Sequence, residues 1–323
     1  MGILPCVCDG LLSRRCAAGI DAVRGVWCGA EWRPRRTPGQ WAEGVFRPAA
    51  ATAGADLEAP MPEVTEPYQP GTPCWIDVVA PDQVAALDFY AKVLGWEGSP
   101  GPVETGGYAL CTLKGKPVAG IMSAEAMGDQ PAPPPVWTTY FASADADATL
   151  QAITRNGGTT FTPAVEVMDL GRMLVAADPT GAVFGVWEAR EFPGAGIANE
   201  PGALIWNELN TTDIEAAAAF YAAALGLDTA PMEGAENYFS LSVTGRPVGG
   251  MQPLGPAGAP PEAASHWLVY FAVTDTDATA AKVAEAGGTV RKEPFDMVAG
   301  RMAVVQDSQG APFAVIAPKP MSA

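Results

Sequence analysis

The chain has 323 residues, of which 48% are hydrophobic, and a formal net charge of −17. That length exceeds one ordinary core and makes two domains the default. No run of about 18 uncharged apolar residues occurs, so no membrane-spanning segment is expected, and so acidic a surface repels phosphate backbones and argues against nucleic acid as a partner.

In chain order, residues 1–60 differ from the rest. They are rich in Arg, Trp, Ala and Gly, and the apolar period of a helix or strand is missing. Arg14 and Arg15 follow the apolar patches instead of preceding them, unlike a signal peptide. Cys6, Cys8, Cys16 and Cys28 match no paired CxxC zinc pattern. The segment reads as a disordered leader, or as sequence upstream of a true start at Met61. Only Cys74 and Cys111 lie beyond it, which speaks for a reducing, cytoplasmic compartment and against a disulfide scaffold.

From residue 72 onward the chain repeats itself. Trp75, Asp82, Phe89-Tyr90 and Gly95 recur as Trp206, Asp213, Phe220-Tyr221 and Gly226. Trp137 and Tyr140 recur as Trp267 and Tyr270, and Gly171-Arg172-Met173 as Gly300-Arg301-Met302. The spacing predicts one domain over 72–189, a linker over 190–201 and a second domain over 202–318.

A shorter repeat lies inside each half. Asp82, Asp145, Asp213 and Asp275 are each followed thirteen residues later by a glycine: Gly95, Gly158, Gly226 and Gly288. Asp caps helix N-termini by accepting free N–H groups, and Gly takes the positive φ of the C-terminal turn. Four helices are therefore expected. Short strand-like runs follow, at Tyr108–Leu113, Val118–Met122, Met173–Ala177 and Val183–Trp187. Each unit reads β-α-β-β-β, and each half holds two. Pro131–Pro135 and Gly255–Pro261 join the units within the halves.

The duplicated Trp-Asp-Phe-Tyr motif and the Asp178-Pro179-Thr180-Gly181 turn before Phe184 resemble the vicinal-oxygen-chelate family, which includes glyoxalases, bleomycin-resistance proteins and extradiol dioxygenases. The resemblance covers about residues 72–318. It implies an α+β fold with two tandem glyoxalase-like domains, each a curved, cup-shaped sheet with helices outside. Family enzymes hold a divalent metal in the cup through His or Glu. The matching positions here are Trp75, Thr138 and Gly185, then Trp206, Leu268 and Ala314. None supplies a strong ligand, and His266 is the sole histidine of the chain. No metal or other cofactor is expected.

Strand alternation places Asp77 beside Trp75 and Glu208 beside Trp206. Tyr140, Tyr270 and His266 are expected on the same faces. These seven residues describe either an aromatic pocket with an acid near its floor or plain core with the acids at a wet rim. Asp77 or Glu208 could serve as a general base if buried, and His266 could pair with Glu208. Arg172 and Arg301 could hold an anion or pair with nearby acids. The expected function is metal-free small-molecule binding by a monomer or homodimer. The alternatives are a lyase or isomerase, or a dioxygenase- or hydroxylase-type enzyme with a non-standard site, or a regulatory partner protein.

Overall fold

The computed structural model describes residues 64, 67–128, 132–254 and 264–319. The leader with its four cysteines, the connector Gly255–Pro261 and the start of Pro131–Pro135 lie outside the described residues.

The first half forms eight strands: β1 (Pro73–Ala80), β2 (Ala109–Leu113), β3 (Lys116–Ser123), β4 (Trp137–Ser143), β5 (Thr159–Thr160), β6 (Val165–Val167), β7 (Gly171–Ala177) and β8 (Val183–Ala189). They make one sheet in the order β2-β3-β1-β4-β8-β7-β5, with β6 also paired to β7. The second half repeats this with β9 (Leu204–Thr211), β10 (Asp228–Pro231), β11 (Phe239–Val243), β12 (Arg246–Pro253), β13 (His266–Ala272), β14 (Thr289–Met297), β15 (Gly300–Gln306) and β16 (Pro312–Pro318). Their order is β10-β11-β12-β9-β13-β16-β15-β14. In each sheet the first strands of the two units pair antiparallel at the centre, β1 with β4 and β9 with β13. Each is flanked by a parallel partner from its own unit. The tandem α+β architecture expected from the repeat is present, although the first unit has only an isolated Glu97–Thr112 bridge where the second half has β10, so it reads β-α-β-β, and β5 and β6 together stand in the place of β14.

All four helices start where the aspartates predict. They are α1 (Gln83–Leu94), α2 (Ala146–Arg155), α3 (Ile214–Leu225) and α4 (Thr276–Glu285). Asp82, Asp145, Asp213 and Asp275 each accept a backbone N–H three residues on, at 2.9–3.0 Å. Asp213→Ala should cost about 1 kcal/mol, the usual worth of such a cap. Urea denaturation measures it, and an unchanged midpoint would remove the cap from the account.

The glycines need one correction. Gly95 and Gly226 end their helices in the left-handed region, with φ of 76° and 70°. In the second units the helices are two residues shorter, and Gly157 and Gly287 take that role instead of Gly158 and Gly288. Gly158 and Gly288 are needed for space. A Cβ on Gly158 would lie 2.7 Å from Ile153, and one on Gly288 would lie 2.5 Å from the Gln306 carbonyl oxygen.

The helices pack on one face of each sheet, and their cores are shared between the halves. Ile76, Phe89, Tyr90 and Trp96 from the first half bury against Phe271, Val283 and Phe313 from the second. Phe141, Ile153 and Phe184 bury against Phe220, Tyr221 and Trp267 in a matching core. The opposite sheet faces carry two smaller clusters, one around Trp75, Tyr140 and Trp187, the other around Leu268, Tyr270 and Ile316. Those faces are the cups.

Candidate functional site

Alternation along β1 sends Ile76 and Val78 toward the helices and Trp75, Asp77 and Val79 into the first cup. The Trp75 indole N–H donates to the Tyr108 hydroxyl at 2.9 Å, and that hydroxyl donates to Asp77 Oδ2 at 3.3 Å. Tyr140 hydrogen-bonds the same carboxyl. Burial pushes the Asp77 carboxyl up to about 7, against the pull of the two tyrosine hydrogen bonds. Burial likewise raises Tyr108 and Tyr140, with the Asp77 charge adding to it, so both stay neutral donors.

The second cup repeats the cluster. Trp206 Nε1 donates to the Tyr238 hydroxyl at 2.9 Å. The Tyr270 hydroxyl donates to Glu208 Oε1 at 2.9 Å, and Tyr238 bonds the same carboxyl. Gln252 Nε2 and Asn210 Nδ2 also reach Oε1, at 2.9 and 3.4 Å. Glu208 is buried, which raises its pKa, and these four hydrogen bonds oppose the rise.

The structure thus brings Asp77 together with Trp75 and Tyr140, and Glu208 together with Trp206 and Tyr270, as strand alternation predicts. Sequence reasoning missed Tyr108 and Tyr238 as site residues, although they recur at matching places in the two halves. It also missed why Gly120 and Gly250 recur. A Cβ on Gly120 would sit 1.8 Å from the Tyr108 hydroxyl oxygen, and one on Gly250 would sit 1.9 Å from that of Tyr238. Each glycine makes room for the hydroxyl.

His266 does not serve as a partner of Glu208 through any of the four bonds above. Its Nδ1 lies 3.0 Å from the Ala264 carbonyl oxygen, and burial lowers its pKa. Its Cα pairs with that of Asn210 across β9 and β13, at the end of the column that holds Trp206 and Glu208. Arg172 is bound by acids, with Asp147, Glu166 and Glu188 within 3.4 Å. Arg301 pairs with Asp277 and Asp296. Of the two roles open to these arginines, the structure assigns the ion pair.

The positions matching the family's metal ligands offer no donor set for a metal. Trp75 and Trp206 use their only polar atoms on tyrosines. A Cβ on Gly185 would lie 2.1 Å from the Tyr140 ring, so that ring occupies the space of any longer side chain there. Ala314 is the facing partner of Tyr270 in the second cup. Among the described residues no three His, Cys, Asp or Glu side chains gather as a metal would need. The donor set does not fit the divalent metal of this fold.

The glyoxalase/bleomycin resistance protein/dioxygenase superfamily model matches residues 74–186 and 203–315. The chain is 46% identical over 266 residues to "Putative glyoxylase CFP32" of Mycobacterium tuberculosis, covering 80% of this chain and 99% of that protein. It is 39% identical to "Anthracycline biosynthesis protein DnrV" of Streptomyces peucetius, covering 77% of this chain and 94% of that one. Among solved structures, the Mn(II)-bound glyoxalase from Novosphingobium aromaticivorans shares the fold, with a TM-score of 0.52 and 17% identity over 78% of this chain and 89% of that chain.

Proposed function

The chain belongs to the glyoxalase/bleomycin resistance protein/dioxygenase superfamily, and on that premise we propose that it binds a small aromatic molecule in a cup without a metal. The observation that carries this reading is the Trp-Tyr-carboxyl-Tyr cluster standing where the fold's metal ligands would be. Flat aromatic walls with a few fixed polar groups suit an aromatic ligand with hydroxyl or amino substituents. The anthracycline-biosynthesis name of one relative supports such a ligand class.

A second reading is favoured by the same carboxyls. Asp77, buried and flanked by two neutral tyrosine hydroxyls, is pushed up to about 7 and can hold or release a proton near neutral pH, and Glu208 is raised in the same direction, which suits a metal-independent lyase or isomerase.

The test is calorimetric titration with naphthols and hydroxylated anthraquinones before and after exhaustive EDTA treatment. Saturable binding with the same affinity in both states is expected. Affinity lost to the chelator and restored by a divalent metal would overturn the proposal. Turnover of a bound compound, unaffected by EDTA, would favour the second reading.

A further inference from the structure

The two cups descend from one repeat, so differences between matching positions show where they have diverged. Around Asp77 the neighbours on the cup face are Val79 and Met122, paired with each other across β1 and β3. The matching residues around Glu208 are Asn210 and Gln252, paired across β9 and β12. Val136, at the end of the first column, is matched by His266. The first cup has kept an acid in apolar surroundings, and the second has surrounded its acid with amides.

The linker after β8 adds a second difference. Phe192 packs edge-on against Trp75 with centroids 4.9 Å apart, and lies 6.1 Å from Trp187. Trp187 Nε1 donates to the Phe192 carbonyl oxygen at 2.8 Å. Ala195 N and Gly196 N then bond to the carbonyl oxygens of Cys74 and Pro117, both at 2.8 Å. The linker is thus stitched along the first cup, and Trp75 is only 5% exposed. In the second cup, Ile316 stands where the first has Trp187. Trp206 is half-buried in a cluster with Tyr270 and Phe295, the latter under Lys292 Nζ at 3.7 Å, and among the described residues no ring stands edge-on to Trp206 as Phe192 does to Trp75. Gln252 Nε2 is spent on Glu208 and Asn210, but its Oε1 accepts no hydrogen bond from the described residues.

We infer that ligand enters only the second cup, where a flat aromatic bearing a neutral O–H or N–H donor lies against Trp206 and donates to Gln252 Oε1. The chain's own linker covers Trp75 in the first cup through Phe192, and that cup serves as scaffold. This rests on the ligand-binding reading above and assigns it to one site of the two. Asp77 keeps a partly open side, but that side lies among Val79 and Met122, which offer no partner for a ligand donor.

Hydroxyl-radical footprinting of the full chain, with mass-spectrometric readout of the Trp75 and Trp206 peptides, tests this covering without any ligand. Trp206 should oxidise several-fold faster than Trp75, and Phe192→Ala should bring Trp75 up toward it. Titration with 2-naphthol, neutral at pH 7, tests the site. One equivalent per chain is expected, with protection confined to the Trp206 peptide. Gln252→Met, which copies the first cup, should weaken binding tenfold or more, whereas Met122→Gln should change it less than twofold. Protection of Trp75, or two equivalents per chain, would overturn the inference and leave the ligand-binding reading standing. Absence of saturable binding by 2-naphthol and by the anthraquinone series would overturn both. Equal oxidation of the two tryptophans would overturn the covering of Trp75 by Phe192.

Discussion

Tyr90→Ala is expected to destabilise the protein by about 4–8 kcal/mol and to loosen both halves together. Tyr90 is wholly buried on α1 of the first half. Its ring stacks on Trp96 at 5.1 Å and meets Trp137 at 5.2 Å and Phe313, from the second half, at 5.8 Å. Truncating such a ring costs about 3–5 kcal/mol through lost burial and the cavity left behind. The hydroxyl adds to this. It accepts from Trp137 Nε1 at 3.1 Å and donates to Asp307 Oδ2 at 3.0 Å. Its removal strands a buried indole N–H and a buried carboxylate oxygen, worth about 1–3 kcal/mol. Asp307 Oδ1 holds the turn before β16 by accepting from Gln309 N and Ala311 N. The defect therefore passes from α1 into the other half. Against a typical total of about 5–15 kcal/mol, the loss is large. Urea unfolding followed by tryptophan fluorescence and by far-UV circular dichroism should show one transition moved to lower denaturant. Two separated transitions, with only one moved, would show that the halves do not share a core. Tyr90→Phe should lose only the hydroxyl share.

That shared core marks where the sequence stopped being informative. Local signals were legible because each acts within a few residues. Asp82 caps a helix three residues away, and the alternation in Trp75-Ile76-Asp77 assigns faces along a single strand. Tyr140 and Tyr270 reached the cups by the same alternation. What could not be read is where separate elements meet. Tyr108 sits just before β2, and nothing in its own stretch says that it bridges Trp75 and Asp77 on β1. The recurrence of Gly120 and Gly250 was visible, but its cause is a hydroxyl from another strand. In the same way, Phe89-Tyr90 and Phe220-Tyr221 were recognisable as a pair recurring within two of the expected helices. Their partners, Phe313 and Phe184, belong to the opposite half, and a periodicity argument is silent about that choice. His266 shows the converse limit: its face was predicted, while its contact with the Ala264 carbonyl depends on the path of the chain just before the strand.

The position of Asp77 has a consequence for pH that reaches beyond binding. Asp77→Asn is expected to leave stability unchanged near pH 4 and to raise it by about 2 kcal/mol at pH 8. Burial pushes the Asp77 carboxyl up to about 7 in the folded protein, while in the unfolded chain it titrates in the ordinary carboxylate range near 4. Between those values the folded state binds the extra proton, so stability falls as pH rises through that window. Below it the carboxyl is neutral in both states and contributes no penalty. Above it the folded protein carries an anion held by two tyrosine hydroxyls, with no ion pair to a cation among the described residues. At about 1.4 kcal/mol per pH unit the ceiling is about 4 kcal/mol, and water on the half-open side of Asp77 reduces it. An asparagine has the same shape, accepts one tyrosine hydroxyl through its carbonyl and donates to the other through its amide. It should therefore keep the cluster while abolishing the charge. Glu208 shifts in the same direction in both proteins, so the informative quantity is their difference. Urea midpoints for the two proteins at intervals from pH 4 to pH 8 give it directly. A difference that grows between pH 5 and pH 7 and then levels supports a carboxyl forced to ionise between the two tyrosines, largely out of water. A constant difference across the range would mean that Asp77 is already charged at pH 4, and that the first cup is open to water.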